Sequence, residues 1–208
     1  MIEKTSLKDK IVTILMEKII DGEIEVGEKL KESHLAKAFG VSQAPVREAI
    51  ISLVSLGILE HKPNIGARVK AFDKQETVEI YQVRDALEMY AVEYIESFDR
   101  LEDLKTSYGF MIEAVKENNI KLFVEHDKAF HTILIKMSGN SLLLELWRQQ
   151  YTKSSVHNII KGFESSLDEI VAIHLPIIKA IENASSMQCK QAVNNHYKII
   201  IKNIKEIS

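Results

Sequence analysis

Apolar residues recur three or four positions apart through most of the chain, and strand-like runs are confined to one short stretch. Leu7, Ile11, Leu15 and Ile19 repeat every fourth position, which predicts a first helix with one buried stripe, ending at Asp21-Gly22. A short helix is expected from about Glu32 to Phe39, closed by Gly40, and a third from about Gln43 to Leu56, stopped by Gly57. Ser42 stands where an N-cap side chain accepts a first-turn N–H. Pro45 falls in that same first turn, where a missing N–H breaks no helical bond. Ile58 to Lys62 and Ala67 to Lys70 read as two short strands joined by Pro63-Asn64-Ile65-Gly66, a turn with one fixed φ and one glycine.

Helix, helix, tight turn, helix and hairpin is the outline of a winged helix-turn-helix. From Gln75 onward the period is helical throughout, in segments near 75–97, 100–117, 119–138, 140–161, 166–184 and 188–206. Asn118-Asn119, Ser138-Gly139-Asn140, Gly162 and Ser185-Ser186 separate them, and Ser166-Leu167-Asp168-Glu169 has capping-box form. The expected fold is therefore mainly α, with a DNA-binding unit over residues 1–74 and an antiparallel bundle of six helices over 75–208.

Charge locates the difference between the two parts. The whole chain carries a formal net charge of −3, which excludes a uniformly basic nucleic-acid coat but leaves room for a local DNA-contacting face. The acidic excess falls after Lys74. No apolar run approaches the roughly 20 residues of a membrane span. Residues 1–10 lack the apolar stretch of a secretory signal. A single cysteine, Cys189, allows no intrachain disulfide and fits a reducing cytoplasm, the expected location.

Particular residues carry a resemblance. Ile20-Asp21-Gly22-Glu23-Ile24, Gly27, Leu30, Leu35-Ala36, Phe39-Gly40-Val41-Ser42, Pro45-Val46-Arg47-Glu48-Ala49, Leu53, Gly57 and Gly66 resemble the GntR family of bacterial transcription factors. The helical remainder is similar to the FCD ligand-binding domain of its FadR subfamily, so the resemblance spans nearly the whole chain. It implies that the helix opening at Ser42 and Gln43 enters the major groove, N-terminus first. Arg47 matches the family's operator-contacting arginine, and bidentate Arg to guanine is the commonest specific base contact. Asn64 and Gly66 resemble the wing tip that approaches the minor groove, and Lys62 and Arg68 beside it are placed for phosphate. An ordinary hairpin with solvated charges would present the same residues. The chain departs from the family at Gln43, where arginine is usual, and near Ile51 and Ser52, where another basic residue is common.

Asp127 and His131 lie four apart on one expected helix, which puts their side chains on one face about 6 Å apart. Later helices offer His174 and His196. One carboxylate and three imidazoles suit Zn or Ni, with a position left for water or an anion. Seven histidines on amphipathic helices also produce accidental pairs, so spacing alone makes no site, and His34, His61, His126 and His157 read as solvated, capping or packed. The resemblance adds weight, because Asp127, His131, His174 and His196 match the metal-binding form of the FCD domain position by position. Pro176 removes a helical N–H two residues after His174. Arg84 resembles the arginine of the first FCD helix that faces the ligand cavity; a surface ion pair would use the same residue.

The resemblance thus implies a homodimeric, cytoplasmic DNA-binding regulator, a repressor, controlled by a small carboxylate bound at a divalent metal. A metallohydrolase using the same Asp and three His, and a regulator whose metal is purely structural, are the alternatives. Against the hydrolase, no further carboxylate is placed by motif as a general base, and the winged helix would be left unexplained.

Overall fold

In the computed structural model the first apolar stripe forms α1 (Leu7–Ile20), which buries Ile11, Leu15 and Ile19. The described residues are 6–20, 22–62, 65–71, 73–161 and 167–206, with 155–161 as backbone only. Asp21, Pro63, Asn64, Phe72, Gly162, Ser166 and the side chain of His157 lie outside them. Two compact units emerge, one taking the N-terminal residues up to 72 and the other most of the remainder.

In the first unit α1 packs on α3 (Gln43–Ser55), which buries Val46, Ala49, Ile50 and Leu53. Each fully buried aliphatic side chain there contributes about 1.5–3 kcal/mol. Between them α2 (Glu32–Phe39) ends at Gly40, whose φ of 68° lies in the left-handed region that glycine enters freely. Ser42 is the N-cap of α3, yet its hydroxyl makes no capping bond. The reason is local. The N3 position is Pro45, which has no N–H to donate, and Ser42, Gln43 and Ala44 are exposed, so water serves the free first-turn groups.

Strands β1 (Leu59–Lys62) and β2 (Gly66–Val69) pair antiparallel, with Leu59 opposite Val69 and His61 opposite Ala67. Gly66 turns with a φ of 98°. The segment before α2 bonds to the other edge of β2 through Gly27 N–H to Val69 O and Leu30 N–H to Ala67 O, both at 2.9 Å. That edge has no counterpart in the periodicity of the sequence.

The second unit opens with α4 (Lys74–Glu93), capped by Asp73. Its carboxylate accepts from Glu76 N–H at 2.7 Å while the Glu76 side chain reaches back to Asp73 N–H. Next come α5 (Leu101–Lys116), α6 (Ile120–Lys136) and α7 (Ser141–Lys161). The single helix expected over 166–184 is divided into α8 (Leu167–Ala172) and α9 (Leu175–Glu182). His174 N–H closes α8 on Val171 O, and Pro176, lacking the N–H that would continue the ladder, starts α9 afresh. The last helix, α10 (Ser186–Glu206), packs on α4 and α9, and α5 on α6. Leu104, Met111, Phe123, Phe130, Leu134, Ile177 and Tyr197 lie in one apolar core, and Ala91, Ile135, Trp147 and Tyr151 in a smaller one. Among the described residues no helix is long and apolar enough to cross a membrane.

Candidate functional site

Three elements of the second unit bring their histidines to one point. One turn of α6 sets Asp127 and His131 on the same face, the break between α8 and α9 releases His174, and α10 presents His196. His174 Nε2 stands 3.2 Å from Asp127 Oδ1 and 3.3 Å from His131 Nε2, and His131 Nε2 is 3.6 Å from the same carboxylate oxygen. Ligand atoms of His131, His174 and His196 all lie within 4.8 Å of one another. The three histidines are at most 1% exposed, whereas the Asp127 side chain keeps 19%.

The outward bonds settle which nitrogens face inward. His131 Nδ1–H donates to Glu88 Oε2 at 2.7 Å, and His174 Nδ1–H donates to the backbone carbonyl of Ile170 at 2.9 Å. Both Nε2 atoms are left facing Asp127 Oδ1. Neither ring nitrogen of His196 has a hydrogen-bond partner among the described residues, an arrangement that costs free energy unless something else occupies the lone pair. Two nitrogens each roughly 2.0–2.1 Å from one tetrahedral ion stand about 3.3–3.4 Å apart, which is the separation of His131 and His174. The donor set fits a divalent cation such as Zn or Ni.

Electrostatics agree with the geometry. Burial opposes a charged His131, but the carboxylates of Glu88 and Asp127 outweigh it and lift the imidazole to about 9. Burial pushes Asp127 upward, and His131 and His174 overcome that, holding its carboxyl well below the usual range. His196 is kept neutral by burial first and by the neighbouring imidazoles second, so its lone pair stays free.

Arg84 is not part of a surface ion pair. It is 3% exposed, its guanidinium lies 4.8–5.7 Å from the ring centres of Tyr81, Trp147, Tyr151 and Tyr197, and Nη1 donates to Ser154 Oγ at 3.0 Å. Its Nη2 is 3.9 Å from Glu88 Oε1, and its Nε is buried with no hydrogen-bond partner among the described residues. Tyr151 joins this cage to the cluster, since its hydroxyl reaches Val124 O at 3.1 Å and Asp127 Oδ2 at 3.3 Å. Glu88, which touches both Arg84 and His131, was not singled out from the sequence.

In the first unit Arg47 is exposed on α3, and both its Nε and Nη2 bond Glu32 Oε2 of α2 at 2.9 Å. Gln43 and Gly66 line one cleft of about 490 Å³ together with Lys29, Lys31 and His61, so the start of α3 and the β1–β2 hairpin share a face. Lys62 is paired with Glu60 of its own strand at 2.8 Å, and Arg68 is half-buried opposite Glu60. Asn64 lies outside the described residues. Of the histidines read as bystanders, His34 and His61 are exposed and His126 stacks on Phe110 at 4.8 Å.

Comparison with known proteins adds an independent line. Residues 7–69 match the model of the bacterial regulatory proteins of the gntR family, and residues 79–198 match the FCD domain. The chain is 25% identical, over 93% of its length and 86% of the relative's, to a protein of Paenarthrobacter nicotinovorans named a probable D-xylose utilization operon transcriptional repressor. It is 28% identical to the gluconate operon transcriptional repressor of Bacillus licheniformis, over 87% of this chain and 78% of that one. Among solved structures, a GntR regulator from Rhodococcus sp. RHA1 superposes with a TM-score of 0.84 at 19% identity, covering 97% of this chain and 98% of that one.

Proposed function

The chain belongs to the GntR family of bacterial regulatory proteins, in the branch that carries an FCD domain, and from that premise we propose a cytoplasmic, homodimeric repressor whose operator affinity is set by a small carboxylate bound at a metal. That it is a DNA-binding transcriptional regulator, and not an enzyme, follows from the family and from relatives named as repressors. Asp127, His131, His174 and His196 would hold a divalent ion, Zn or Ni, and the bound ion would supply an electrophilic position for a carboxylate. The observation that carries this reading is the buried convergence of three imidazoles and a carboxylate, with both nitrogens of His196 otherwise unsatisfied. Arg84 would give the incoming anion its counter-charge, through the Nε that has no hydrogen-bond partner among the described residues. One relative governs an operon named for gluconate, a hydroxy acid, which suits such a site.

On the DNA side, Ser42, Gln43 and Arg47 would read the major groove and Asn64 and Gly66 the minor, with Lys62 and Arg68 on phosphates. Two copies must set their reading helices about 34 Å apart to engage one face of the duplex. The test combines elemental analysis of wild type, His131→Ala and His196→Ala with selection of bound duplexes from a random pool, with and without chelator. Stoichiometric metal in wild type that falls in both variants, and selected half-sites lost or weakened when a panel of hydroxycarboxylates is added, is the expected outcome. Unchanged metal in both variants would remove the site. Metal loss without any effect of carboxylate on DNA binding would leave a purely structural ion.

A further inference from the structure

One buried carboxylate collects donors from three neighbouring helices. Glu88 of α4 has no exposed surface. Its Oε2 accepts from His131 Nδ1–H of α6 at 2.7 Å, and its Oε1 accepts from the Trp147 indole of α7 at 2.6 Å and from the Tyr197 hydroxyl of α10. An ionised carboxylate only accepts, so His131 can satisfy it only by keeping a proton on Nδ1. An apolar side chain would fill the same space without the cost of burying a charge, so packing alone does not account for this residue.

The other two imidazoles sharpen the point. His174 Nδ1–H is held by a backbone carbonyl, which no substitution removes, and neither nitrogen of His196 has a hydrogen-bond partner among the described residues. Among the three, only His131 has its outward-facing Nδ1 held by another side chain. We infer that Glu88 is a positioning residue of the metal centre: by holding Nδ1–H of His131 it fixes the tautomer and ring angle that present Nε2 to the shared ion, and by gathering Trp147 and Tyr197 it clamps α7 and α10 around that ring. This rests on the metal reading proposed above. Outer partners of this kind govern metal affinity because they pre-set the ligand before the ion arrives.

Glu88→Gln keeps the shape but offers either an amide oxygen or an amide NH2 to Nδ1. In the second orientation the ring proton moves to Nε2, facing the other ligands. Zinc competition against a chelator should therefore show Glu88→Gln weaker by about 10- to 100-fold. Leu104→Ala, a core truncation elsewhere in the same unit, serves as a control of at least equal loss in melting temperature, and it should keep wild-type zinc affinity. Independently of any variant, nitrogen-15 spectra of zinc-loaded wild type should show His131 with zinc on Nε2 and its proton on Nδ1. Zinc on Nδ1, wild-type affinity in Glu88→Gln, or an equal affinity loss in Leu104→Ala would each overturn the inference. Wild type that takes up no zinc would overturn the metal reading itself, a failure distinct from zinc-replete wild type indifferent to Glu88.

Discussion

Gln43, in the first turn of α3, carries a donor and an acceptor where arginine carries donors alone. A glutamine pairs with adenine N6 and N7, so the operator position facing Gln43 should prefer A·T, while Arg47 still reads guanine. Binding-site selection on wild type and Gln43→Arg in parallel is expected to move that position towards G·C, with a discrimination of about 1–3 kcal/mol; identical selected half-sites would refute it. In the second unit His131 should set a pH dependence. In metal-free protein its imidazole is raised from 6.5 to about 9, so its contribution is complete below pH 6.5 and is lost as pH rises through about 9. Asp127 and Glu88, both lowered, lose theirs only in acid. Chelator-stripped protein should therefore melt at progressively lower temperature from pH 6.5 to 9, whereas zinc, which takes the place of the proton on Nε2, should abolish that decline. A flat melting profile for the stripped protein across that window would contradict the assignment.

At the scale of the element, α6 does more than carry Asp127 and His131. Phe130, fully buried, sets its ring against His131 and His174 at 5.4 and 4.9 Å, nearly perpendicular to both. Phe130→Ala should cost about 3–5 kcal/mol by urea unfolding and should weaken zinc as well, because both imidazoles gain room to turn. Retained zinc affinity at that loss of stability would show the ring to be filler. The limits of α1, α2 and α3 were legible because local signals suffice there: a four-residue stripe, Gly40 and Gly57. The four clustered side chains were legible because one pair lies a single turn apart and the rest match a family pattern. Glu88 was not, although Tyr81, Arg84, Glu88 and Ala91 form one buried stripe in which two charges interrupt the apolar run. That interruption is the available signal, a weak one because a charged pair four apart on a helix is ordinarily solvated. Its satisfaction comes from α6, α7 and α10, which no local period records. The split of α8 from α9 was half legible: Pro176 announced a break, but its place depends on Val171 closing the preceding turn. Glu32 beside Arg47 and the 27–30 edge on β2 are likewise tertiary facts.

For the whole molecule, the proposed ligand, metal and operator sites would be linked through free energy. Metal that binds only the folded second unit at one hundred times its dissociation constant adds about 2.7 kcal/mol. Chelation should lower melting accordingly, and chelator that strips the ion without changing melting or carboxylate affinity would sever the link. An effector can shift operator affinity only by its differential affinity for the two states, and such couplings run to about 1–3 kcal/mol, or roughly 5- to 150-fold. Reciprocity then fixes a second measurement. Saturating operator should weaken the carboxylate by the same factor that the carboxylate weakens operator, and a carboxylate affinity that saturating operator leaves unchanged would exclude coupling between the two sites.

The chain has one tryptophan, and the bond from Trp147 to Glu88 has a spectroscopic consequence. Indole emission comes from the second unit alone, from a ring with no exposed surface whose centre lies 6.3 Å from that of His131. A charged imidazolium beside an indole drains its excited state, and a neutral imidazole does so far less. If zinc binds as proposed, Trp147 emission should be dim while His131 holds a proton and brighter once zinc displaces it, an optical gauge of the cluster readable without label or partner.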